Sequence, residues 1–81
     1  MKTTQEYFNL TMDELLTIRN EYGYTKEECL LFDDGVEIVF FDNEKELKNE
    51  QQEFNNYIQS KGYEIKETVK TINERIAVIL I

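Results

Sequence analysis

Cys29, Ser60 and the adjacent carboxylates of Asp33 and Asp34 are the side chains whose types could do chemistry, so their surroundings decide whether they do. The chain has 81 residues and no histidine. Cys29 therefore has no imidazole to draw off its proton, and its apolar neighbours Leu30 and Leu31 mark it as a small core side chain rather than a nucleophile. Ser60 stands at the end of a helical pattern with no base near it. Paired carboxylates can shuttle protons or bind a hard cation. Asp33-Asp34-Gly35, however, lacks the alternating ligands of a calcium loop and reads as a turn. The three glycines (23, 35 and 62) form no phosphate-binding loop. Tyr22, Tyr24, Tyr57 and Tyr63 lack the basic neighbours of a base-stacking surface and read as edges of a core. The expectation is a protein that is not an enzyme and uses neither cofactor nor metal.

Charge is the stronger signal. Seventeen acids against nine bases leave a net charge of −8. That disfavours direct contact with nucleic acid or an anionic membrane, and suits attraction to a basic partner. The excess is uneven: residues 1–42 hold ten acids and three bases, residues 43–81 seven and six. Glu27, Glu28, Asp33, Asp34, Glu37 and Asp42 crowd one stretch and are the candidate partner-binding residues. A solvated acidic face is the plainer reading of such a run. A docking surface for a basic protein is the functional one, because complementary charge raises on-rate and selectivity.

The elements that would position these residues follow from periodicity and capping. Thr11 and Glu14 form a capping box, Leu10 and Leu15 a hydrophobic staple, and Gly23 a helix stop, which predicts a helix over 12–22. Asp34-Gly35 between two apolar runs predicts a hairpin of strands 28–33 and 36–42. A competing reading takes Thr25 to Glu28 as a second capping box and makes 26–32 a short helix. Asn43-Glu44-Lys45-Glu46 begins another helix, with Leu47, Phe54, Tyr57 and Ile58 on one face and Gly62 at its end. Alternation of Tyr63, Ile65 and Val69 with polar residues predicts a half-exposed strand, with a turn near 72–74. The apolar run 76–81 predicts a buried strand, 75–81, central in a sheet. Residues 1–9 read as an arm or a short first turn.

The chain also matches itself at an offset of 39, which places Gly23-Tyr24 on Gly62-Tyr63 and Val39 on Val78. That suggests a single α+β domain of two αββ halves, 1–42 and 43–81, in the order α-β-β-α-β-β. The expected assembly is two-layered: a four-stranded antiparallel sheet with both helices on one face, and strands 36–42 and 75–81 in the middle. Such an arrangement leaves one apolar face of the first hairpin open. Ile38, Val39, Phe40 and Phe41 are then candidates for self-association, unless residues 1–9 or a loop fold over them.

A single cysteine and a polar start point to the cytoplasm, and no stretch reaches transmembrane length. In size, acidity and lack of catalytic residues the chain resembles the small inhibitors of phages and mobile elements, such as anti-restriction and anti-CRISPR proteins. Bacterial immunity proteins and antitoxins are similar. The resemblance lies in composition, and implies a non-enzymatic inhibitor that occludes a basic surface, for instance on a nucleic-acid-binding enzyme. The alternative is a self-associating structural or regulatory domain, a homodimer through its apolar sheet face.

Overall fold

The computed structural model describes residues 1–4 and 10–81; the part of the expected arm at residues 5–9 lies outside the described residues. In chain order the elements are β1 (Lys2–Thr3), α1 (Met12–Tyr22), α2 (Lys26–Leu30) running into a 3-10 turn (Leu31–Asp33), β2 (Glu37–Phe41), α3 (Glu44–Asn49), α4 (Gln51–Lys61), β3 (Ile65–Lys70) and β4 (Ile76–Leu80). The class is α+β, with a four-stranded antiparallel sheet in the order β1-β2-β4-β3.

α1 forms where its caps place it. The Thr11 hydroxyl accepts the Glu14 N–H at 3.3 Å, and Gly23 closes the helix at φ 73°, its own N–H bonded to the Arg19 carbonyl at 2.9 Å. The hairpin of 28–33 with 36–42 does not form. Thr25 and Glu28 make a reciprocal capping box instead: the Glu28 N–H donates to the Thr25 hydroxyl at 3.1 Å, and the Thr25 N–H to the Glu28 carboxylate at 2.7 Å. Such a cap is worth about 0.5–2 kcal/mol. Five helical residues are too few to stand alone. Tertiary contacts complete the case: the helix and its 3-10 extension turn Cys29 and Phe32 inward together and leave Leu30 outside.

Gly35 is required here, but not for a type I′ turn. Its backbone is not left-handed, as a type I′ turn would require. A Cβ there would stand 2.4 Å from the Leu80 carbonyl oxygen and 2.7 Å from Ile79 Cγ2, so the residue is bare because β4 passes against it. The neighbouring Val36 N–H bonds that same Leu80 oxygen at 2.9 Å.

β2 and β4 are central, as their apolar runs require, and every residue of both is buried. Their register sets Val39 opposite Val78. Strand alternation then sends Ile38, Phe40, Ala77 and Ile79 to one face, where they pack with Leu15 and Ile18 of α1, Tyr24, Cys29 and Phe32. Val39, Phe41, Ile76, Val78 and Leu80 point the other way, onto Phe54, with Leu47, Tyr57 and Ile58 beside it. The helices thus cover both faces, three layers rather than two. Two strands apolar on both sides need cover on both sides, at about 1.5–3 kcal/mol per large side chain buried.

This arrangement corrects two further expectations. Ile38, Val39, Phe40 and Phe41 are at most 1% exposed, so they form the monomer's core and present no apolar face for self-association. The fourth strand is not 28–33 but β1, which pairs Lys2 with Phe40 and Thr3 with Val39. The Thr4 hydroxyl carries that ladder one step on, donating to the Ile38 carbonyl and accepting its N–H at 2.8 and 3.0 Å. The 39-residue offset does align the two central strands. Yet residues 28–33 are helical where 67–72 are mainly strand, and α1 and α4 lie on opposite faces, so no twofold axis relates the halves. The helix expected from Asn43 to Gly62 is also broken, at Glu50 (φ −103°, ψ 12°).

Candidate partner-binding surface

The six acids expected to form one contact surface are divided by the fold. Glu28 is fully buried; its carboxylate receives the Thr25 N–H, the Thr71 hydroxyl at 3.4 Å and the Arg75 guanidinium, 3.5 Å from both oxygens. Arg75 also lies over the Tyr24 ring, 5.0 Å from its centre, and donates to the Gly23 carbonyl at 3.3 Å. Burial pushes the Tyr24 hydroxyl up to about 12 against the opposing pull of Arg75. Glu28 is thus a clasp between α2 and the β3–β4 turn. Glu27 joins in from outside, half-buried, accepting the Ile72 N–H at 2.9 Å.

Glu37 is 1% exposed and accepts the Thr4 N–H at 2.7 Å and the Tyr57 hydroxyl at 2.9 Å. Burial, and then this bond, hold the Tyr57 proton on well above the usual phenol range. Glu28 and Glu37 therefore leave the contact surface: each binds parts of this chain to one another. A carboxylate without such partners would not be buried at all. Asp42 is exposed and pairs with Lys2 at 3.1 Å. Asp33 and Asp34 remain fully on the surface, with the Lys66 ammonium donating to the Asp34 carbonyl at 2.7 Å.

What the sequence reading missed is the contribution of α1. Asp13, Glu14 and Glu21 are exposed, and α1 shares a layer with α2, so they join Glu27, Asp33 and Asp34 on one side of the sheet. Among the described residues, six outward-facing acids there stand against three bases: Arg19, Lys26 and Lys66, whose ammonium reaches the Asp34 carbonyl. The opposite layer is close to balanced: Glu44, Glu46, Glu50 and Glu53 of α3, α4 and their junction face Lys45, Lys48 and Lys61. The Met1 ammonium makes up the difference, 3.1 Å from Glu46 and 2.7 Å from Glu50. The signal for this was present in the sequence as the imbalance between halves. It becomes an imbalance between faces because the helices of each half lie on opposite sides of the sheet.

Other chemistry finds little support. The Cys29 thiol is raised by burial and by the Glu28 carboxylate, and lies 3.4 Å from the Leu15 carbonyl, a core side chain in every respect. Among the described residues no group of three or more histidine, cysteine, aspartate or glutamate side chains could hold a metal ion. Every buried side-chain nitrogen and oxygen among them has a partner. An open cleft of about 490 Å³ lies between the start of α3 and the β3–β4 turn, but its rim mixes Asp42, Glu44 and Glu74 with Lys45 and Lys70. Among the described residues no helix is long and apolar enough to cross a membrane. Comparison with protein-family models, curated proteins and solved structures gives no match.

Proposed function

We propose that this protein is a non-enzymatic binding protein whose α1/α2 layer docks a basic surface of another protein and occludes it, with carboxylates standing where phosphates would. The observation that carries the reading is the charge difference between the two helix layers. A helix is about 10 Å across, so the two layers, on opposite sides of a sheet, lie farther apart than the screening length of about 8 Å at physiological salt. A basic partner approaching the α1/α2 layer meets an attractive field that the α3/α4 layer does not offer. The alternative, an apolar-face homodimer, loses its motive because both sheet faces are covered.

The test is capture of host proteins on the immobilised chain, washed at rising salt and repeated with two doubly reversed variants. Asp13→Lys/Asp33→Lys alters the α1/α2 layer; Glu44→Lys/Glu53→Lys alters the other by the same net charge. Each variant is first shown to keep its fold by circular dichroism. The reading requires a captured basic protein that leaves at high salt, is lost with the first variant and is kept with the second. Equal loss with both would refute it.

A further inference from the structure

The lateral face of α1 carries a groove of about 260 Å³, lined by Leu10, Glu14, Thr17, Ile18 and Glu21. That volume falls just below the range of about 300–1,000 Å³ typical of small-molecule sites, and matches one or two inserted side chains. The apolar lining calls for an apolar anchor. The two glutamates, seven residues apart, sit two helical turns or about 10.5 Å from one another on the same side. A second helix laid along α1 repeats that spacing, so its own positions i and i+7 would meet the two carboxylates while i+3 or i+4 faces the groove. Charge complementarity selects lysine or arginine at the outer positions.

We infer that this groove takes an amphipathic basic helix of a partner protein, its apolar residue seated over Thr17 and Ile18 and its basic residues, two turns apart, on Glu14 and Glu21. The inference rests on the proposed function and gives it a place and a recognition pattern. It is the helix-in-groove mode of recognition, with affinity from the anchor and register from the charges.

The probe is a synthetic alanine-rich helix of about eighteen residues, long enough to be helical in water, with lysine at i and i+7 and leucine at i+3 and i+4. A control peptide of identical composition carries its lysines on the far side of the helix. Titration is followed through the backbone amide resonances of the protein. The first peptide should shift Thr17, Ile18 and Glu21, and the control should bind at least about tenfold more weakly, since two attractive charge pairs are lost. Glu14→Lys/Glu21→Lys should lose the lysine peptide and gain one with glutamates at the same positions; that rescue also shows the variant is folded. Shifts centred elsewhere, equal binding of both peptides, or no shift at millimolar peptide would overturn the inference. So would shifts of these amides with protein concentration alone, which would make a second copy of the chain the occupant. To separate this proposal from the broader one, the groove variant is also tried against the captured protein. Capture kept by the groove variant but lost with Asp13→Lys/Asp33→Lys refutes the groove alone; capture indifferent to both refutes both.

Discussion

Replacing Gly35 tests the packing that distinguishes this fold from a simple hairpin. An alanine Cβ would meet the Leu80 carbonyl oxygen at 2.4 Å and Ile79 Cγ2 at 2.7 Å, both far inside contact distance. The first obstacle is backbone of the central strand β4, hydrogen-bonded on both sides, and cannot swing away as a side-chain tip could. Overpacking of this kind costs about 1–3 kcal/mol. Displacing the segment also strains or breaks the 2.9 Å bond from the Val36 N–H to the same oxygen, worth about 0.5–1.5 kcal/mol. The sum, about 1.5–4.5 kcal/mol, is a large share of the 5–15 kcal/mol of a typical domain. A drop of 2 kcal/mol alone corresponds to roughly 8–16 °C in melting temperature at this size. Urea unfolding followed by circular dichroism measures it directly. Gly35→Asn supplies the decisive comparison. Asparagine tolerates left-handed backbone, so a type I′ turn would accept it with little loss; a close approach rejects any Cβ, and Asn should then be at least as damaging as Ala. A mild Asn variant beside a damaging Ala variant, or less than about 1 kcal/mol for both, would refute the reasoning.

Glu28→Ala should destabilise the protein by about 3–5 kcal/mol, the usual cost of removing one partner of a buried ion pair, because Arg75 and the Thr25 N–H both lose their acceptor; a loss below 1 kcal/mol in urea unfolding would contradict the clasp. The Met1 ammonium gives a pH signature. Burial opposes its charge, but the carboxylates of Glu50 and Glu46 outweigh that and raise its pKa above the ordinary 8.0. A raised pKa means stability that is fully present below about pH 8 and lost as pH climbs through the folded value. Melting temperatures of the wild type should therefore fall more steeply than those of Glu46→Gln/Glu50→Gln between pH 7 and about 10; parallel curves would show that the ammonium contributes nothing.

Local signals in this sequence were sufficient wherever the physics is local. The caps at Thr11 and Gly23 determined α1 to the residue, and Asn43 and Gly62 the outer limits of the second helical stretch. Unbroken apolar runs determined that β2 and β4 are buried on both faces and therefore central. The imbalance of charge between the halves was legible too, as was the lack of a base beside Cys29.

Only the tertiary structure decided the rest, because the competing local signals were nearly equal in strength. Residues 25–33 hold both a capping box and an apolar run next to Asp-Gly. The helix is favoured by contacts from distant chain: Arg75 and Thr71 on Glu28, and the Ile72 N–H on Glu27. Once that segment is helical, the sheet draws its fourth strand from Lys2 and Thr3, too short a run to carry any period of its own. Burial of Glu28 and Glu37 was equally hidden, since a carboxylate reads as surface until its partners, 33 to 47 residues away for most of them, are in place. The same long-range packing put α1 and α4 on opposite faces, and so turned a charge difference along the chain into one across the molecule.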